Sequence, residues 1–462
     1  MSSAQTIRPK SLIAGGGVAV FGLIFALTSG LGFDASFTIA VVTLCAIWWI
    51  TEAIPIPMTA CIPLAAFPLS GVISRSELGS AFGNPINFLL IGGFMLSIAM
   101  VKSNAHLRLA SLLFSLLRPK TEKQIVVAFM MCSALLSMWI SNAAAAMMLI
   151  PAALATLDKA KSKPAFTVSL LLGICYAASV GGLATPIGTP PNLVFMQAYE
   201  QATGTSISFI DWMLWGIPFV IVLLPIVTFR LTSRCTNAPC DSNFQKRAWQ
   251  TDERRVLAIF VLIIIAWMTR GDPFGGWSQW FNLPAAHDGY TALLGAIALF
   301  VVPNGHGKPL LEWEQAKELP WGVILLVSGG IAISLALRNT GLISDFTKHF
   351  EAFSNWPIWL MIGLICLSIT FITEIMSNTA CAALMMPILA ALAIAINVDP
   401  MLLMLPAAMT ASCAFMMPMA TAPNAIVFGT QRIAIQDMLR MGAPLNVACV
   451  VAVVVLMFIL NL

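Results

Sequence analysis

Apolar runs of about the ~20 residues that an α-helix needs to cross a hydrocarbon core recur along the chain with hardly a charge inside them. They predict spanning helices at 12–31, 35–53, 56–73, 86–101, 166–187, 211–229, 255–270, 290–303, 320–337, 400–419 and 442–461. Two apolar stretches, 124–157 and 357–395, are too long for one crossing, and each is interrupted by a polar pair, Ser141-Asn142 or Ser377-Asn378. A re-entrant hairpin accounts for both, because non-helical backbone at membrane depth is tolerated only when buried in protein or facing a water-filled cavity. The expected fold class is an all-α polytopic membrane protein with about 11 transmembrane helices plus two hairpins.

The two interruptions belong to a longer repetition. Ser141-Asn142 followed by Pro151 returns 236 positions later as Ser377-Asn378 followed by Pro387. Pro186-Ile187-Gly188-Thr189-Pro190-Pro191-Asn192 answers to Pro418-Met419-Ala420-Thr421-Ala422-Pro423-Asn424 at an offset of 232, and Leu89 to Gly93 match Leu326 to Gly330 at 237. One half is a diverged copy of the other. The expected division is an N-terminal helix (1–34), a first repeat (35–232, hairpin 124–157, broken helix 166–195), a loop (233–254) and a second repeat (255–462, hairpin 357–395, broken helix 400–428). Helix breakers and small polar residues at matching places in two apolar halves point to a transporter's binding site.

Composition agrees: 59% of residues are hydrophobic and 10% charged, against roughly 25% charged in a soluble domain. The net charge of +4 is then a topology signal, not a mark of nucleic-acid binding. With the N-terminus inside and each hairpin returning to its own side, twenty Lys and Arg fall inside and four outside, as cytoplasmic loops require. This count makes the repeats inverted, places the C-terminus outside, and brings the two Ser-Asn tips toward the midplane from opposite faces. Arg8, Lys10 and the apolar run that follows read as an uncleaved first helix. The basic cluster at 230–255 reads as topology signal and as a possible contact with anionic lipid head groups. Ten cysteines lie mostly inside apolar segments as small buried hydrophobes. Only Cys235 and Cys240 share a polar loop, which lacks the further ligands a metal needs.

A hairpin tip at mid-depth ends one half-helix and starts another, so it offers free carbonyls and free amides together. The amides suit an anion, while carbonyls and hydroxyls suit a bare cation such as sodium. Neither tip carries Lys or Arg, so a bound dianion would rely on amides, hydroxyls and co-bound cations to offset its burial. Glu52 and Glu374 stand in apolar surroundings and are candidates for electrostatic support of a cation site. His106, His287, His306 and His349 fall in loops or at span ends, which speaks against a proton relay. With no base near Ser141 or Ser377, an intramembrane serine enzyme is not expected.

The paired Ser-Asn tips, the Pro-Pro-Asn and Ala-Pro-Asn breaks and the order of spans resemble the divalent anion/sodium symporter family over nearly the whole chain. The resemblance implies a homodimer in a bacterial inner membrane, each protomer with a scaffold and a mobile transport domain. It implies elevator-like, sodium-coupled symport of C4-dicarboxylates such as succinate, malate or fumarate, with two or more sodium ions per protomer. Carried over by position, one sodium site would use Ser137, Ser141, Asn142 and Gly188, and the other Thr373, Met376, Asn378 and Ala420. Substrate would meet Asn142, Ala143, Thr189 and Pro190 from one half and Ser377, Asn378, Thr379, Thr421 and Ala422 from the other. The family usually has Thr in place of Ala143 and often Pro in place of Ala422, so the identity of the anion is the open point. A sodium-independent exchanger of di- or tricarboxylates, or a carrier of another divalent anion such as sulfate, remains an alternative on the same fold.

Overall fold

The computed structural model describes residues 10–159, 164–233, 235–240, 248–271, 275–342 and 356–460. Arg8, Lys161, Lys163, Arg234, Lys246, Arg247 and Lys348, which enter the orientation count, lie outside the described residues, as does His349. Among the described residues the regular structure is helical, with two isolated β-bridges, Thr121 to Pro239 and Pro303 to Pro309, and no strand.

Each predicted span overlaps a helix. The first half runs α1 (Lys10–Leu27), α2 (Phe33–Thr51), α3 (Ile56–Ser70), α4 (Arg75–Phe82), α5 (Pro85–Lys102), α6 (Ala105–Leu117), α7 (Glu122–Ser137), α8 (Asn142–Lys159), α9 (Pro164–Gly181), α10 (Pro190–Thr203) and α11 (Phe209–Thr232). The second runs α12 (Thr251–Met268), α13 (Gly276–Trp280), α14 (Asp288–Val301), α15 (Trp313–Ala316), α16 (Trp321–Asn339), α17 (Ile358–Ile372), α18 (Asn378–Ala395), α19 (Pro400–Ala411), α20 (Ala422–Gly429) and α21 (Ile435–Ile459). Among the described residues seven helical segments are long and apolar enough to cross a bilayer, and the shorter apolar helices fill in around them.

Three differences from the sequence reading have local causes. The predicted span 400–419 is helical only to Ala411, and the chain is irregular from there to Thr421. The span 166–187 likewise stops at Gly181. Helices α4 and α6 were not expected. Helix α4 starts on a capping box in which Ser74 Oγ accepts the Glu77 amide and Glu77 accepts the Ser74 amide, satisfying two otherwise free donors. Helix α6 is fixed from its side by Arg108, which is buried and pairs with Glu253 of α12 at 3.1 Å.

The two halves interlock. Helix α5 packs against α14 of the other half, and its counterpart α16 packs against α3. A Cβ on Gly92 would come within 2.5 Å of the Ala292 carbonyl oxygen, and one on Gly329 would lie 2.7 Å from that of Ala60. Gly329 is Gly92 moved by 237 positions, and Ala292 is Ala60 moved by 232. The same glycine-to-backbone crossing is therefore built twice, each time with one helix from each half. Such close approach is how small residues gain dispersion contact between helices in lipid.

Gly92→Val and Gly329→Val should each lower the melting midpoint in detergent and the yield of monodisperse protein, by more than the ~1–3 kcal/mol usual for overpacking, since the obstacle is backbone. Gly363→Val, on α17, is the control, because a Cβ there meets nothing within 4 Å. Equal loss in all three would remove the special role of the crossings.

Candidate binding site

The first hairpin is α7 and α8, joined by residues 138–141, and the second is α17 and α18, joined by 373–377. Helix α8 begins at Asn142 and α18 at Asn378, so both Ser-Asn pairs sit where the second leg starts, as the sequence indicates. At the first tip Ser137 Oγ donates to Asn142 Oδ1 at 2.5 Å, and Ser141 Oγ accepts the Ala144 amide at 3.3 Å. At the second, Thr373 Oγ1 lies 2.6 Å from Asn378 Oδ1 and 2.9 Å from the Ala411 carbonyl oxygen. Ser137 and Thr373 are related by 236 positions, as are Asn142 and Asn378. One hydroxyl-to-amide clasp is thus repeated.

Each tip faces a break in a helix of its own half. The first break, 182–189, joins α9 to α10, and the second, 412–421, joins α19 to α20. Thr189 and Thr421 are the extended N-caps of α10 and α20. Proline at Pro190 and Pro191, and at Pro423, costs nothing there, because first-turn amides have no intrahelical partner. Thr421 Oγ1 also accepts the Asn424 amide at 3.2 Å. Across each break reaches the side chain of the asparagine two or three residues into the next helix. Asn192 Nδ2 donates to the carbonyls of Gly182 (3.0 Å) and Thr185 (2.8 Å), and Asn424 Nδ2 to those of Ala414 (3.0 Å) and Met417 (3.1 Å). Both asparagines are fully buried. Sequence reasoning saw them as part of the break motif and missed their function as staples.

Break and tip meet closely in the first half. A Cβ on Gly182 would lie 2.7 Å from Asn142 Oδ1 and 3.2 Å from the Gly188 carbonyl oxygen. Asn142 Oδ1, which also accepts from Ser137 Oγ, and the Gly188 carbonyl oxygen therefore both lie close to the hydrogen of Gly182. Gly182 was not among the expected site residues. A second tie runs from the Thr185 hydroxyl to the Met138 carbonyl of the tip. In the second half the tie is Glu374, which is buried and accepts the amides of Met416 (2.9 Å) and Met417 (2.8 Å) and Nδ2 of Asn446 on α21 (2.6 Å). Tyr176 of α9 links the halves, its hydroxyl donating to the Phe415 carbonyl and its ring lying 4.9 Å from that of Phe415.

Of the remaining expected residues, Thr189, Thr373, Met376, Thr379, Ala420 and Thr421 are buried, while Asn142, Ala143, Pro190, Ser377 and Asn378 are partly accessible. Ser141 and Ala422 are exposed. Glu52 is the exposed C-cap of α2, with φ 48°, on a helix that packs against α1, α3 and α16. It lies at the end of a helix whose packing partners α1, α3 and α16 belong to neither hairpin. Cys235 and Cys240 are free thiols, and among the described residues no group of three His, Cys, Asp or Glu could hold a metal.

Residues 46–407 match the family model described as citrate transporter. The chain is 37% identical to a sodium-dependent dicarboxylate transporter of Staphylococcus saprophyticus over 97% of its length and 90% of the relative's. It is 36% identical to one of Staphylococcus aureus at the same coverage. Among solved structures, Neisseria gonorrhoeae MtrF, from a class of antimetabolite efflux pumps, superposes with a TM-score of 0.61 at 14% identity, over 85% of this chain and 83% of that one. The Alcanivorax borkumensis YdaH transporter does so with a TM-score of 0.59 at 16% identity, over 85% and 86%. These two structures speak for the fold.

Asn192→Leu and Asn424→Leu keep the volume and remove the staple, leaving two buried carbonyls without their donor. Each should cost about 1–3 kcal/mol and appear as a lower melting midpoint in detergent. A midpoint unchanged in both would refute the staple.

Proposed function

Since the chain belongs to the divalent anion/sodium symporter family of multi-pass membrane transporters, we propose that it carries C4-dicarboxylates such as succinate, malate or fumarate inward together with sodium ions. The observation that carries this reading is the approach of Asn142 Oδ1, clasped by Ser137, and the Gly188 carbonyl oxygen to Gly182. Its supports are the names of the Staphylococcus relatives and the second clasp at Thr373 and Asn378. Neutral oxygens converging without a cationic side chain suit a dehydrated monovalent cation. In this reading one ion binds at Ser137, Ser141, Asn142 and Gly188, and another at Thr373, Met376, Asn378 and Ala420. The dianion lies between the tips, against Asn142, Ala143, Thr189 and Pro190 on one side and Ser377, Asn378, Thr379, Thr421 and Ala422 on the other. The ions neutralise the dianion in a low-dielectric site, which explains how it binds without Lys or Arg.

The same reading makes the hairpins and broken helices a transport domain that slides as an elevator against a scaffold. Helix α8 packs on α20 and α18 on α10, so the second leg of each hairpin rests on the other half's helix beyond the break. That cross-packing favours motion as one body. Helix α16 packs against α10 and α18, while its counterpart α5 packs chiefly against α14, an asymmetry fitting a block that leans on one side of its scaffold at a time. Large apolar residues such as Leu69, Leu116, Phe229 and Val301 face outward, at 75% exposure or more, as lipid contact requires. Location in a bacterial plasma membrane with the N-terminus cytoplasmic and the C-terminus outside, the two inverted repeats bounded at 35–232 and 255–462, and assembly as a homodimer complete the proposal.

Proteoliposomes given an inward sodium gradient should accumulate labelled succinate, and those in choline should not. Gradient-independent uptake that needs internal unlabelled dicarboxylate would instead identify an exchanger. Ser377→Ala and Asn378→Ala should each reduce uptake by about tenfold or more, in line with ~1.5–3 kcal/mol per lost hydrogen bond to a charged ligand, and full activity in both would remove the site assignment. Gly182→Ala places a methyl against Asn142 Oδ1. It should raise the sodium concentration for half-maximal uptake more than the succinate KM, and an unchanged sodium curve would separate Gly182 from the ion.

A further inference from the structure

Helices α10, α16 and α18 pack against one another and leave between them a cleft of about 480 Å³, the size of a small-molecule site. Its walls repeat at helical spacing: Gln197 and Gln201 on α10, Gly330 and Ser334 on α16, Pro387 and Ala391 on α18. Toward the mouth the lining is mainly apolar, with Leu337 and Ala390 buried, and Arg338 stands exposed at the rim. At the inner end the cleft narrows to about 10 Å³, room for one water-sized group. No residue lining either part is among those read above as ligands of the ions or of the dianion.

The narrow end brings together a donor and an acceptor that do not meet. Gln197 is 3% exposed, and among the described residues its Nε2 has no hydrogen-bond partner, a condition that native interiors rarely tolerate. Pro387, inside α18, has no amide to return to the carbonyl of Ala383 four residues earlier. Ala383 lines the same narrow end as Gln197, and a Cβ on Gly330 of α16 would lie 3.9 Å from its carbonyl oxygen. A hydroxyl group answers both, accepting from Gln197 Nε2 and donating to Ala383. An ion does not fit there, because none of the residues lining the narrow end carries a charge and a buried ion without a counter-charge is penalised. At the rim the charge of Arg338 reaches Glu77, so the two offset each other.

The repeat does not build this cleft twice. Gly93 is the counterpart of Gly330 at 237 positions, and a Cβ there would lie 2.9 Å from Ile187 Cγ2. Gln197 moved by 232 positions is Gly429, the last residue of α20. Donor and space are both particular to the side on which α16 packs.

We propose that this cleft binds a neutral, mainly apolar molecule that ends in a hydroxyl group, with the hydroxyl in the narrow end between Gln197 and Ala383 and the apolar body against Leu337, Ala390 and Ala391. Its effect on transport rests on the reading above, in which α10 and α18 belong to the moving block and α16 to the scaffold. A molecule seated between them slows transport without occupying the place of the dianion.

Ser334→Cys puts a thiol on the wall of the cleft. Its alkylation by a small maleimide is followed by mass spectrometry at that peptide in the purified full-length protein in detergent, with the partly accessible Cys61 as internal standard. 1-Hexanol should slow labelling at position 334 and leave Cys61 unchanged. Methyl pentyl ether, which lacks the donor, and hexanoate, which brings a charge, should need about three- to tenfold higher concentration for the same protection, the worth of one neutral hydrogen bond. Adding Gln197→Leu should raise the hexanol requirement by the same factor. No labelling at position 334 without ligand, no protection by hexanol, or equal protection by the ether, by hexanoate or in the Gln197→Leu background overturns the site. In proteoliposomes hexanol should lower the maximal rate of succinate uptake at unchanged KM, and less so in Gln197→Leu; a raised KM at unchanged maximal rate overturns the effect on transport. Labelling needs neither sodium nor transport, so uptake indifferent to sodium would remove the sodium-coupled reading and leave the site standing.

Discussion

Every backbone polar group at bilayer depth has to find a partner inside the protein, and the staple that Asn192 and Asn424 throw across their breaks is how this chain meets that demand. Each side-chain amide closes two carbonyls that an unbroken helix would have closed by itself. Threonine caps and prolines then start the next helix where missing amides do no harm. Once stapled, the break can stand in the interior with its remaining groups turned toward the tip of the neighbouring hairpin. The clasps at Ser137 to Asn142 and Thr373 to Asn378 and the ties through Thr185 and Glu374 all presuppose that arrangement.

Much of this was legible in the residues. A Ser-Asn pair in the middle of an overlong apolar run marks a helix start, and α8 and α18 begin there. Hydropathy placed the spans because burial in lipid is a matter of composition. It failed at Ala411, where the chain leaves the helix while staying as apolar as before, since transfer energy carries no information about dihedral angles. Helix α4 had a readable signal in Ser74 and Glu77, but its polar composition hid it from a search for spans. For Glu52 the neighbours in sequence are apolar, yet it ends a helix and is exposed, because a helix terminus is set by backbone dihedrals and not by hydropathy. Gly182 and Tyr176 were silent because their importance comes from what folds back against them, Asn142 in one case and Phe415 in the other.

The repeats match in backbone and differ in detail where ligands would sit. Gly182 and Gly188 of the first half stand where the second has Ala414 and Ala420, so the first break comes nearer to its tip than a chain with Cβ atoms would allow. Thr379 carries a hydroxyl that Ala143 lacks, and Met138 stands where the second half has Glu374. The two sides are thus alike in backbone and different in side-chain chemistry.

The exchange of helices between the halves also bears on how the protein is made. Gly92 of α5 has its partner surface at Ala292, 200 residues later in the chain, a wait of roughly 10–40 s at ribosomal speeds of about 5–20 residues per second. During that interval the close-packing face of α5 is without its partner. The crossing is completed only when the second half arrives, so a chain halted after α11 lacks the surface on which α5 packs.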